Sequence, residues 1–311
     1  LSLVGTLVPE LIIQMEILGS TFDDSVFSER KARVPVSLTT YNAKVCEPEL
    51  FWFCEASALH TYVSLAMQSV FMFRGDLALR AGGDFQKAAD AYGSCLGWIS
   101  DNNLSIRRDV LEGMARCFTK LGRRNRALDI VNLLKKEMTN TCHLTSLLLL
   151  KVTIYGHFEC TGAELSCLQQ LCSLLPFNPW HWHSLGQTCL QLLERQRWGE
   201  TAEGDEEEDA AEFSEDRIWL KACTSLIRTR LLLRILQQQQ SSFVRRRSEN
   251  TLRSTEEALR RLNPQDWSLR AVTQVMSEDL IPEKMREDNQ DGESLSNICV
   301  QSFRDRWWNK I

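Results

Sequence analysis

No two cysteines in this sequence stand at the CxxC spacing that zinc sites and redox dithiols use, although the chain carries 11 of them in 311 residues. They are scattered singly, at Cys46, Cys54, Cys95, Cys117, Cys142, Cys160, Cys167, Cys172, Cys189, Cys223 and Cys299. An odd count without close pairs excludes a secreted disulfide framework. Most lie among leucines at helical spacing, where cysteine behaves as a small hydrophobe. The expected setting is therefore a reducing, intracellular one, in the nucleus, the cytoplasm or both. Also absent are a Walker loop, a GxSxG elbow and an HExxH pair. The 5 histidines, His60, His143, His157, His181 and His183, have no evident nucleophile beside them. Catalytic groups usually sit on loops, and a chain this poor in glycine offers few of them. The expectation is a protein that is not an enzyme, with no catalytic residues, no cofactor and no metal.

Long uninterrupted apolar runs are missing too. Residues 1–19 are broken by Pro9, Glu10, Gln14 and Glu16, and they lack the basic region of a secretory signal. From Ala56 to Phe73 there is no charge, but His60, Thr61, Ser64, Gln68 and Ser69 are costly in hydrocarbon. That run reads as a buried helix, and no membrane anchor is expected. The net charge of -5 is mild, and 43% of residues are hydrophobic, enough for a substantial core.

What is present is helical grammar. In "DVLEGMARCFTKLGRRNRALDIVNLLKK", Leu111, Met114, Ala115 and Phe118 fall at i, i+3, i+4 and i+7. Gly122 supplies a permissive turn, and Ala127, Ile130, Val131 and Leu134 open a second periodic run. The preceding segment repeats the pattern: a helix ends at Gly82-Gly83, then Phe85, Ala88, Tyr92 and Cys95 follow. Repeated helix–turn–helix units mark a stacked array, in which each unit buries its face only against its neighbours.

The crowded stretch "PFNPWHWHSLGQTCLQLLE" reads as a third helix start. Pro176 ends the leucine-rich run before it, Asn178 is a good N-cap, and Pro179 suits the first helical position. Trp182, Leu185, Gly186 and Cys189 repeat the spacing, with Gly186 small enough to admit a neighbouring helix. His181 and His183 point about 200° apart on such a helix, so they cannot share one ion.

This spacing of Trp, Leu-Gly and a bulky residue resembles the tetratricopeptide repeat. That family's small residue on the second helix matches Ala88 and Ala127, its turn glycine Gly83 and Gly122, and its closing proline Pro176. The resemblance covers about residues 73 to 195 and implies a short stack of antiparallel helix pairs. The unit ending at Pro176 lacks a clean turn glycine. The strings "FDDSVFSER", "RRDVLEGMARCFTKLGR", "LPFNPWHW", "LKACTSLIRTRLLL" and "IPEKMRED" further resemble the vertebrate chromosome 8 open reading frame 76 family. That likeness runs from about Phe22 onward, departs from the family at 51–72, and carries over no catalytic residue.

Charge divides the remainder. From Glu203 to Asp216 there are nine acidic residues and no basic one. Such a block repels itself and reads as a disordered linker. Residues 217 to 270 then carry twelve Lys or Arg against four Asp or Glu, a local balance of +8. Within them "DRIWLKACTSLIRTRLLLRILQQQQ" reads as a long helix with a stripe of Trp219, Ala222, Cys223, Leu226 and Leu233. Arg230 and Arg234 lie on another face. The basic patch Arg230, Arg234, Arg245, Arg246 and Arg247 is open to four readings. It is a solvated face, a partner of the acidic block, a nuclear-import signal with Ser248 as a kinase site, or a contact for nucleic acid. The closing "SFRDRWWNKI" places Phe303 and Trp307 at i and i+4, as in a short helix that docks on the body or anchors a partner through Trp307 or Trp308.

The expected fold is all-α. A mostly irregular segment (1–50) precedes tetratricopeptide-like repeats (56–198), an acidic linker (199–216) and a C-terminal helical section (217–311) that caps the stack. The residues expected to pack the repeats are Gly83, Ala88, Tyr92, Leu111, Ala115, Phe118, Gly122, Ala127, Pro176, Trp182, Leu185, Gly186 and Cys189. The expected function is a non-enzymatic adaptor or scaffold holding a protein partner. The alternative is a nuclear nucleic-acid- or chromatin-associated factor using the basic 228–261 segment.

Overall fold

A computed structural model describes residues 52–54, 64–198, 214–237, 242–281, 285 and 298–310. The expected irregular segment 1–50 and all but the last residues of the acidic linker lie outside this range. Among the described residues every regular element is helical. The helices are α1 (Ser64–Leu77), α2 (Phe85–Leu96), α3 (Leu104–Lys120), α4 (Arg124–Lys136), α5 (Thr141–His157) and α6 (Thr161–Leu174). They continue with α7 (Pro179–Trp198), α8 (Glu215–Gln237), α9 (Ser242–Leu262), α10 (Asp266–Ser277) and α11 (Val300–Arg306). Each helix from α1 to α8 packs on the next, which gives an all-α stack of consecutive pairs.

The turns within pairs share one backbone device. Gly83 and Gly122 sit in the left-handed region at φ 61° and 71°, two residues before α2 and α4 begin. The turn before α6 needs the same geometry, and Glu159 supplies it at φ 58°. A side chain there is uncommon and strained relative to glycine. This is why that unit shows no turn glycine in its sequence. Side-chain caps start two of these helices, Asp84 accepting from the Lys87 amide at 3.0 Å and Asn140 from the His143 amide at 2.8 Å.

Two cores run along the stack and meet at α5. Ala88, Tyr92, Leu111, Ala115, Phe118, Ala127 and Val131 belong to the first, with Leu147, Leu150 and Ile154 of α5. Leu144 and Leu148 turn instead into the second core, with Leu168, Trp182, Leu185, Cys189 and the C-terminal helices. The run Leu147–Leu150 therefore shows no single buried face, because Leu147 and Leu150 enter one core, Leu148 the other, and Leu149 stays exposed.

Close approach in the first core depends on two glycines. The Tyr92 ring is wedged between Gly75 of α1 and Gly113 of α3. A Cβ at either position would come within 2.5 or 2.9 Å of that ring. The Tyr92 hydroxyl is tied to Asp76 at 2.6 Å, which fixes the ring in the slot. Burial, followed by the Asp76 carboxylate, pushes this phenol far above its ordinary pKa. Gly186 does the same work in the second core, where a Cβ would meet the Leu226 side chain of α8 at 2.8 Å.

The C-terminal helices continue the second core. α8 packs on α7, α9 and α10, and the eight residues from Ala222 to Thr229 are all buried. Among the described residues, no helix is long and apolar enough to cross a membrane.

Candidate functional site

Of the residues expected to pack the repeats, Ala88, Tyr92, Leu111, Ala115, Phe118, Ala127, Trp182, Leu185 and Cys189 are all buried core. Pro176 and Gly186 are buried beside them, while Gly83 and Gly122 form exposed turns.

The α7 start follows from its sequence. Asn178 Oδ1 accepts from the Trp180 amide at 3.0 Å, and Pro179 begins the helix without an amide to satisfy. The Trp182 indole donates to the Pro176 carbonyl at 2.8 Å and is 0% exposed. His181 Nε2 lies 3.2 Å from Asn178 Nδ2, and His183 Nδ1 lies 3.3 Å from Thr255 Oγ1 of α9. The two imidazoles thus diverge to different partners, one at the cap and one under α9. Burial holds both below the ordinary histidine pKa.

The stripe expected on α8 is only part of what is buried there. Thr224, Ser225, Arg228 and Thr229 are buried too. The three hydroxyls donate back to the carbonyls of Leu220, Lys221 and Ser225 one turn earlier, so none is orphaned. Arg228 is 0% exposed and joins three elements. Its Nη1 donates to the Met276 carbonyl at 2.6 Å and to Asp279 Oδ1 at 2.5 Å, and its Nη2 to the Pro176 carbonyl at 3.3 Å. The guanidinium also lies over the Phe177 and Trp182 rings, 5.5 and 5.7 Å from their centroids. Burial lowers its pKa and Asp279 opposes that shift.

Most of the expected basic patch has partners on the molecule's own surface. Arg245 pairs with Glu249 at 2.9 Å and Arg234 with Glu256 at 2.8 Å. Arg247 covers the Trp180 ring at 4.3 Å, and Arg230 is half-buried with its pKa lowered by burial. Arg246 alone of the five is exposed with no partner among the described residues. Ser248, read from sequence as a kinase site, is 0% exposed. The native fold hides it, because α9 turns that position toward the core.

Two clefts flank α5. One, of about 220 Å³, lies between α3 and α5. Ser105, Arg108, Asp109 and Glu112 line it from α3, and His143 and Ser146 from α5, over a floor of Leu134, Leu147 and Leu150. Burial, then the neighbouring Glu112, raises the Asp109 pKa. The second cleft, of about 390 Å³, is lined by Gly156, Glu159, Thr161, Glu164, Gln191, Glu194 and Arg195. Arg195 closes one side of it, bonding Glu159 Oε2 at 2.5 Å and Thr161 Oγ1 at 3.1 Å. Burial raises the Glu164 carboxyl above its usual range, against the Thr188 hydroxyl that donates to it at 3.4 Å. The sequence carries no local signal for either cleft, since each is assembled from three helices, α3 to α5 in the first and α5 to α7 in the second.

The model of a family described as "Family of unknown function (DUF5588)" matches residues 16–195 and 194–311 of this chain. The chain belongs to that family. It is 31% identical to the human "Uncharacterized protein C8orf76", over 95% of this chain and 93% of the relative. It is 29% identical to the rat "Uncharacterized protein C8orf76 homolog", over the same shares of each chain. The resemblance to this family read from the short strings is borne out.

Proposed function

We propose that this member of the family is a non-enzymatic adaptor, built as a tetratricopeptide-like stack, that holds a segment of a protein partner. The observation that carries the reading is the α3–α5 cleft, where charged and hydroxyl side chains of both helices rim a buried leucine floor. A peptide offers amides and mixed side chains to such a rim and an apolar residue to such a floor. The ionisable groups of the core favour scaffold over chemistry. Its histidines are tied to Asn178 and Thr255. Burial pushes the Cys95, Cys117 and Cys167 thiols up to about 11 and Cys189 and Cys223 to about 12, where thiolate is scarce. These free, buried thiols also support a reducing compartment, nucleus or cytoplasm.

The protein-partner reading is preferred to nucleic acid because four of the five patch arginines are paired, stacked or half-buried. Affinity purification tests it with two chains, wild type and Asp109→Arg/Ser146→Arg, which fills the cleft without touching its floor. A partner retained by the first and lost by the second, with helical signal unchanged, supports the reading. An identical set of partners for both chains refutes it. Binding to duplex DNA that weakens steeply with salt would restore the nucleic-acid alternative.

A further inference from the structure

The last described stretch, 298–310, is held to the body by aromatic anchors. Phe303 of α11 and Trp307 at its C-terminal cap are one turn apart and both are buried. The rings that bury them come from elsewhere. The Trp182 centroid lies 5.5 Å from that of Phe303 and 5.1 Å from that of Trp307, and α11 packs along α6. Trp308 meets Phe303 edge-on at 4.9 Å and takes the Lys221 ammonium over its ring at 5.0 Å. At the rim, Arg306 reaches Asp279 at 3.2 Å and Lys310 reaches Glu278 at 3.8 Å.

A seven-residue helix does not hold itself together in water, so its order comes from the groove. The arrangement is that of an amphipathic helix laid in an apolar groove, with clustered aromatic anchors and a charged rim. We propose that the groove of Trp182, α6 and the end of α10 is a recognition site for a basic aromatic helix of a partner protein, with residues 298–310 as its tethered competitor. The chain's own segment defines the chemistry of the partner. It needs two aromatic anchors four residues apart, a further ring after them, and cations facing Asp279 and Glu278. An acidic helix would set carboxylate against carboxylate at that rim.

The tethered segment is an imperfect occupant. Trp308 Nε1 is buried with no acceptor among the described residues. A stranded donor weakens an interaction by roughly tenfold, which leaves a partner that avoids it room to win. Tethering works the other way, presenting the competitor at an effective concentration of about millimolar. The site is thus occupied by default and opens only to a better ligand or a detached tail. This surface is separate from the α3–α5 cleft, and either reading can fail without the other.

The test uses the full chain with a protease recognition sequence placed between Met285 and Ile298, cleaved after folding. The probe is a fluorescent synthetic peptide of residues 296–311, followed by anisotropy. Cleaved chain should bind it roughly 100-fold more tightly than intact chain, as loss of a tethered competitor requires. Probes carrying Trp307→Ala, or Arg306→Glu with Lys310→Glu, should lose about tenfold or more. Intact chain carrying Phe303→Ala/Trp307→Ala should bind the wild-type probe as cleaved chain does. Equal binding before and after cleavage overturns the proposal. So does a cleaved fragment that never exchanges, or a loss of helical signal larger than the seven residues of α11 when it leaves, since either makes the tail a fixed part of the fold.

Discussion

Replacing Asp279 by asparagine keeps the side-chain shape and removes the one carboxylate that Arg228 meets among the described residues. Arg228 then keeps the Met276 and Pro176 carbonyls and the faces of two rings, but it carries a buried charge with no counter-charge. Stranding a buried ion in this way costs about 3–5 kcal/mol. Asp279 is 16% exposed, so water softens the loss, while Arg306 stays nearby as a second cation and adds to it. The expected cost of D279N is about 2–4 kcal/mol. R228M removes the charge and refills the space with an adaptable apolar chain. It leaves Asp279 paired with Arg306 and takes one donor from the Met276 carbonyl, for an expected cost of about 1–2 kcal/mol. The double variant should be little worse than R228M, because the charge stranded by D279N no longer exists. Urea unfolding followed by far-UV circular dichroism reads all three, and D279N should lower the midpoint by roughly 1 M. The reasoning is refuted if R228M costs more than D279N, or if the two costs add.

Gly113→Ala should cost about 1–3 kcal/mol by overpacking, since the Tyr92 ring already rests on Gly75 and cannot retreat. Tyr92→Leu in the same chain should recover part of that loss, and simple additivity in a double-mutant cycle would count against the wedge. Because burial depresses the His181 and His183 pKa values, the folded state binds fewer protons than the unfolded one below the unfolded histidine pKa of about 6.5. Their contribution is complete above that pH and is lost as pH falls through the folded values. H181Q/H183Q should therefore flatten the stability slope between about pH 6.5 and 5, and an unchanged slope would show that other groups cause it. Ser248 should resist a basophilic kinase in the native protein and become a substrate on unfolding, while Ser248→Glu should destabilise by several kcal/mol as an unpaired buried charge. Rapid phosphorylation of native protein would contradict the burial of that hydroxyl.

The elements were legible wherever one face of a helix is buried and the other is wet. Leu111, Ala115 and Phe118 show the helical period because α3 has an exposed side. Asn178 and Pro179 mark the α7 start because capping is a local chemistry of adjacent residues. The reach of Gly186 toward a neighbouring helix was legible for the same reason. The wedge of Tyr92 between Gly75 and Gly113 was not, because nothing local distinguishes those glycines from weak helix positions. Glu159 was hidden differently: it occupies a backbone conformation that the sequence argument reserves for glycine.

Periodicity fails where a helix is enclosed, and this chain encloses two. The five leucines of α5 serve two cores and an exposed edge, so they display no single face. In α8 eight consecutive residues are buried, yet four of them are polar, so composition points outward while packing points inward. That conflict is settled by residues far along the chain. The hydroxyls bond within α8 itself, but Arg228 Nη1 finds its partners at Met276 and Asp279, 48 and 51 positions later. A buried arginine whose partners lie so distant cannot be told from an exposed one by reading its neighbours. The same long-range closure brings Phe303 and Trp307 onto Trp182 and Arg306 onto the carboxylate that Arg228 uses. Arg228, Asp279 and Arg306 therefore link the central helix to the tail electrostatically. A variant that strands Arg228 should loosen the tail before it melts the first core, whose Tyr92 wedge shares no residue with that network.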